Sequence, residues 1–211
     1  MNLPALRSLV RRDLKDEDTS DYRWTDEELN RHIDHAVREF SLSLPREAVG
    51  IPTTQAGSRE LSLATLSDRV LVEAVEYPRG MYPPSYVQFS VWGDTLTLLV
   101  DNVPGVGEEV AVYYGRLHTL GSTTSTIPPH LEEVVAMGAE GFACQEWASF
   151  AINRVNTGGA GTWREYLAFG QEKLGAFMEA LARYGRGGSL KARRLYGPAE
   201  PKPSQTTDWG P

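Results

Sequence analysis

The chain has 211 residues, 41% of them hydrophobic, enough for a real core in one domain or in a domain with a sizeable insert. Its 28 acids against 21 bases give a formal charge of −7, which argues against a protein that coats nucleic acid over its whole surface. Cys144 is the only cysteine, so no intrachain disulfide can form; the expectation is assembly in a reducing cytoplasm, with the thiol in a core.

The N-terminus carries no apolar run of signal-peptide type. Leu6, Leu9, Val10 and Leu14 recur at helical spacing, with arginines expected on the opposite face. An acidic loop, residues 16–21, precedes a complete helix-start signal. Thr25 and Glu28 form a capping box, and Trp24 before it can staple onto Leu29. The stripe Leu29, Ile33, Val37, Phe40 and Leu44 predicts a second helix that Pro45 ends. Residues 1–49 thus read as a helical hairpin.

Residues 50–126 change to short alternating runs split by Gly, Pro, Asn and Asp, the pattern of strands and turns. Val70, Val72 and Val75 mark one strand and Val87, Phe89 and Val91 another. Gly93-Asp94 fits a two-residue hairpin turn, with Leu96, Leu98 and Val100 on the return strand. Val110, Val112 and Tyr114 complete an inserted antiparallel module of about four or five strands.

Pro128-Pro129 suits the first turn of a third helix reaching about Val155. Its small residues, Gly138 and Gly141 among them, are poor helix formers by about 1 kcal/mol per glycine, so a close neighbour is expected to reward them. Five charges interrupt residues 131–155, too many for a membrane span. A glycine-rich turn and a second capping box, Thr162 with Glu165, lead into a fourth helix from Trp163 to Tyr184, with Gly185 as its stop. Residues 127–185 form a long helical hairpin, and the fold class is α+β: four main helices with a β-module between the second and third. Residues 186–211 are a Pro/Gly-rich tail. From Arg183 to Tyr196 there are five bases and no acid; residues 183–211 carry a net +4 and the remainder −11. That contrast favours docking on an acidic partner or a sister subunit, with Leu190, Leu195 and Tyr196 as anchors among the charges.

Chemical motifs stay at background, and no catalytic, metal or cofactor residue is assigned. His32 and His35 lie three apart on one helix, yet no third ligand or cysteine pair accompanies them; solvated helix histidines are the better reading. His130-Leu131-Glu132-Glu133 lacks the His-Glu-x-x-His order. The turn from Asn156 to Thr162 lacks a P-loop's Gly-Lys ending, and Cys144 has no evident histidine partner. A hydrolase assembled from scattered His118, His130 and Asp94 offers no local motif. Trp24 to Leu29 also resembles the opening of Myb or SANT modules. The helix after it mixes Arg31 and Arg38 with Asp34 and Glu39, unlike a basic recognition helix.

Val10-Arg11-Arg12-Asp13-Leu14, Tyr22-Arg23-Trp24-Thr25-Asp26-Glu27-Glu28-Leu29, the stretch from Ala36 to Pro45, Pro128-Pro129-His130-Leu131-Glu132 and Glu146-Trp147-Ala148 occur in an order that resembles the head-to-tail connector, or adaptor, family of tailed phages. The resemblance spans roughly residues 1–185; the β-module departs from the family's minimal helical form. It implies a non-enzymatic virion neck subunit, assembled in the host cytoplasm. Its partners would be the portal protein, a tail terminator, stopper or nozzle protein, and copies of itself in a ring, commonly twelvefold. DNA would pass through the channel without specific binding, and no membrane is involved. The tail residues Arg186, Leu190, Lys191, Arg193, Arg194, Leu195 and Tyr196 are then expected to dock on the portal. Gly138, Gly141, Phe142, Trp147, Trp163 and Phe177 are candidates for helix packing or ring contacts. The alternative from another class is a DNA-binding or regulatory module using Trp24 to Leu29 and the basic tail.

Overall fold

The computed structural model describes residues 1–152 and 163–188. Helix α1 (Leu3–Asp13) starts where the Asn2 side chain accepts the Ala5 N–H at 3.0 Å, with Pro4 in the first turn. Helix α2 (Asp26–Ser43) carries both halves of the expected capping box: Thr25 accepts from the Glu28 N–H, and Glu28 accepts from the Thr25 N–H at 2.7 Å. Trp24 and Leu29 are both buried behind it. The chain then enters strand β1 (Arg46–Gly50) directly after Pro45, four residues ahead of the expected boundary. The proline that ends the helix already sets extended backbone.

The β-module has six strands in two antiparallel sheets, rather than one sheet of four or five. Strands β2 (Glu60–Ser62), β4 (Phe89–Trp92) and β5 (Thr95–Leu98) form one, in the order β2-β5-β4. Strands β3 (Arg69–Glu76) and β6 (Ala111–Arg116) join β1 in the other, in the order β1-β6-β3. The predicted hairpin is present: Trp92 pairs with Thr95 across Gly93-Asp94, and Gly93 has φ +57°, the left-handed conformation such a turn needs. Inward residues of both sheets, Leu61, Val75, Leu96, Leu98, Val112 and Tyr114, share one core. Each fully buried aliphatic side chain there contributes about 1.5–3 kcal/mol. Neither three-stranded sheet can bury its inward row alone; packed together, each covers the apolar row of the other.

After a 3-10 turn (Pro129–Leu131), helix α3 (Glu132–Ala151) packs against α1, α2 and α4 (Trp163–Gly188). Being central, α3 is apolar on most of its circumference. Its glycines mark close approaches inside the subunit. A Cβ on Gly138 would lie 3.0 Å from the Phe177 ring and 3.1 Å from Ala36, and one on Gly141 would lie 2.6 Å from Leu174 Cγ. Opposite, a Cβ on Gly170 would meet the Gly141 carbonyl at 3.0 Å. Helix α4 runs through Gly185, the residue expected to stop it. There the missing Cβ serves proximity, since it would stand 3.1 Å from the Ser43 carbonyl at the end of α2. Thr162 of the second capping box lies outside the described residues.

Candidate assembly surfaces

The arginines of α1, expected on a solvated face, are largely committed internally. Arg11 is buried. One guanidinium nitrogen donates to Asp16 at 2.6 Å; the other donates to the Trp24 carbonyl and to Asp26, both at 2.8 Å. Its plane also covers the Tyr22 ring at 3.7 Å. Asp16, itself buried, accepts the Arg23 N–H at 2.7 Å. Arg7 pairs with Asp26 at 3.0 Å. Arg23 lies over the rings of Trp147 and Tyr166, 5.3 and 5.0 Å from their centroids, and donates to the Tyr166 hydroxyl. Trp24 packs edge-on against Trp147 with ring centroids 5.7 Å apart. The segment from Trp24 to Leu29 therefore holds α1 to α2: Asp26 binds Arg7 and Arg11, while Thr25 and Glu28 cap α2.

His32 corrects the reading of solvated helix histidines. It is buried, and its Nε2 stands 2.5 Å from Glu146 on α3, which also pairs with Arg31. Burial lowers the His32 pKa against the pull of Glu146. Burial works the other way on Glu146, yet the Arg31 hydrogen bond and His32 bring its pKa below the ordinary carboxylate value. His35 stacks on Phe142 with centroids 3.9 Å apart, and Phe142 in turn meets Phe177 edge-on. No group of three ligand-type side chains suited to a metal occurs among the described residues.

His118, left in the sequence as a scattered residue, ties the two units together. Its Nδ1 is 2.9 Å from the Thr126 carbonyl, its Nε2 is 3.1 Å from the Leu44 carbonyl, and its backbone N–H donates to Ser41 at 3.0 Å. One side chain thus touches both connections between the helices and the β-module, and in its neutral form the single ring N–H donates to one of the two carbonyls. Burial lowers its pKa. No sequence signal announces it, because both partners are backbone carbonyls, one 8 residues away and the other 74, and a carbonyl has no residue identity to read.

Cys144 and Glu140 belong to the helical core. Burial, with the nearby Glu140 charge, pushes the Cys144 thiol up to about 12, the opposite of an activated nucleophile. Glu140, also raised by burial, is held by Lys173 of α4 at 2.7 Å.

One end of the β-module carries a different surface. Loop residues Met81, Tyr82, Val103 and Val106 are exposed there, Tyr82 at 93% and Val106 at 76%. The two loops that bear them are pinned. Tyr77 donates to Glu108, Arg79 pairs with Glu109 at 2.5 Å, and Glu76 accepts from the Gly80 N–H and the Tyr113 hydroxyl, each at 2.9 Å. The carboxylates beside Tyr77 and Tyr113 push both phenols up to about 12. Trp92, 90% exposed, stands on the β4–β5 hairpin. Sequence reading missed these aromatics; the signal was Tyr-Pro repeated in a segment with no apolar alternation to bury it.

Of the expected packing residues, Gly138, Gly141 and Phe177 lie in the subunit's own core, and Phe142 and Trp147 are partly buried against it. Trp163, half-buried at the start of α4, lies under the Arg164 guanidinium. Arg186 lies in the last turn of α4; Leu190, Lys191, Arg193, Arg194, Leu195 and Tyr196 lie outside the described residues. No helix among the described residues is long and apolar enough to cross a membrane. No family model matches the chain, and no curated protein matches it. Among solved structures it is similar to a chain from the "Neck of empty GTA particle computed with C6 symmetry". The identity is 12%, the match covers 82% of this chain and 88% of the other, and the TM-score is 0.31.

Proposed function

We propose that this chain is a structural, non-enzymatic head-to-tail adaptor of a tailed phage or phage-like particle. It assembles as a ring beneath the portal, extends the DNA channel and receives the tail or a stopper protein. The observation that carries the reading is the order of parts: an arginine-bearing first helix, a capped second helix, an intervening β-module, two longer packed helices and a basic tail. Two further features support it. The buried and half-buried charged groups described above are spent on holding helices and linkers together, and the pinned, exposed aromatic loops of the β-module suit contact with another protein.

The test is reconstitution with the portal protein of the same particle, followed by electron microscopy of the complex. A ring of this subunit under the portal is expected, and deleting residues 186–211 is expected to abolish portal binding. Portal-bound particles with no such ring would overturn the adaptor assignment. Salt-dependent binding of the subunit to duplex DNA at physiological ionic strength would favour the regulatory alternative.

A further inference from the structure

Helix α4 ends beside the β-module. Gly185 approaches the Ser43 carbonyl, and two residues on, Pro45 lies over the outer face of the β1-β6-β3 sheet, where a Cβ on Gly115 would stand 2.7 Å from it. Gly115 pairs with Glu47 on one side and Leu71 on the other, so Glu47, Gly115 and Leu71 form one outward row. Alternation along β1 sets Val49, 53% exposed, on the side of Glu47; Leu71 is 39% exposed, and Ile51, just past the strand, is 45% exposed. Beyond the part that Pro45 covers, this face exposes apolar side chains, and β1 is an edge strand with no neighbour on its outer side among the described residues.

Its charge is one-sided. Partial burial raises the pKa of Glu73, at the bulge between Val72 and Ala74, and repulsion from the nearby Glu47 carboxylate adds to it. Neither has a basic partner among the described residues. The 23 residues after Gly188 leave from this end of the molecule and open with Ser-Leu-Lys-Ala-Arg-Arg-Leu-Tyr. Lys191 comes three residues after Gly188, a span of about 10 Å when extended, and Gly185 already touches the segment that leads into β1. In extended backbone Lys191 and Arg193 share one side and Leu190 and Ala192 the other, a pattern that offers cations and apolar groups together.

We infer that the outer face of the β1-β6-β3 sheet is the resting site of the chain's own segment 190–196, which lies along β1 with its cations against Glu47 and Glu73. The contact holds the segment on its own subunit until a stronger acidic partner takes it. That second clause rests on the adaptor reading; the docking itself does not.

Cross-linking the full-length free protein with a water-soluble carbodiimide tests the docking without any portal. A dilute mixture of unlabelled and 15N-labelled chains is treated, and the products are mapped by mass. An amide between Lys191 and Glu47 or Glu73 within one chain is expected, lost in 0.5 M salt and in the E47Q/E73Q variant, whose exposed side chains leave the core untouched. Absence of that cross-link, or its occurrence only between light and heavy chains, overturns the inference. Hydrogen exchange gives an independent readout: K191E/R193E/R194E should speed exchange at residues 46–51, and unchanged exchange there counts against the proposal. Failure here leaves ring assembly on the portal untouched, and failure of ring assembly leaves this intramolecular contact standing.

Discussion

Arg11 shows how a single buried cation can organise a corner of a protein. Its guanidinium answers a buried carboxylate, a backbone carbonyl and the Asp26 side chain at the start of α2. Removing one member of such a pair leaves the other charged and unsolvated, so R11A should destabilise the fold by about 3–5 kcal/mol. R11K, which cannot reproduce the planar fork, should recover only part of the loss. Denaturant midpoints measure both, and a cost within the range of an exposed ion pair would show that Arg11 does not hold this corner. His32 and His118 make a second residue-scale prediction. Burial sets both below the ordinary value of 6.5, so the unfolded chain takes up protons near pH 6.5 where the folded chain does not. Stability should therefore fall as pH drops below about 6.5, and level off under the folded values. Glu140 has the opposite sign: its raised pKa removes stability as pH climbs above 4.5 towards its folded value. Midpoints between pH 5 and 7.5 separate them, with H32Q/H118Q flattening the first trend and E140Q the second.

At the scale of elements, glycines on one helix have different jobs. Gly170 faces the α3 backbone at 3.0 Å, whereas a Cβ on Gly175 would meet nothing within 4 Å. G175A should stabilise α4 by about 0.5–1 kcal/mol through helix propensity alone. G170A gains the same propensity but must push two helix backbones apart, and should cost about 1–3 kcal/mol net. Thermal melts of the two variants should move in opposite directions; a parallel shift would contradict the close α3–α4 packing. The element-level expectations that held were those carried by local chemistry: the α2 cap, the stop at Pro45, the Gly93-Asp94 turn. Where α4 ends was misread because Gly185 has the composition of a stop and the position of a contact. Nothing within a few residues distinguishes the two.

For the molecule as a whole, the helices and the β-module have separate cores. Arg46 and Arg116, the first residue of β1 and the last of β6, are paired across the sheet, so the module leaves and returns at one place. Replacing residues 46–116 by a short Gly-Ser linker, with His118 and Thr126 retained, should leave a folded helical unit whose far-ultraviolet circular dichroism and cooperative melting persist. Loss of cooperative melting would show that the helices depend on the module. The same excision should remove the Tyr82 and Trp92 surfaces without touching the helical corner around Arg11.

Sequence alone determined the class and order of elements, because caps, prolines, glycine turns and hydrophobic period act over a few residues and leave their pattern in the chain. It also set the charge contrast between body and tail. The tertiary structure decided the rest: that Arg11 and His32 are buried, that His118 joins two linkers, that Gly138, Gly141 and Gly170 serve packing within the subunit, and that Tyr82 and Trp92 stand in solvent. Those outcomes depend on partners 5 to 114 residues apart, most of them on different elements or in the linkers between them, and pairing of that kind leaves no local periodicity to read.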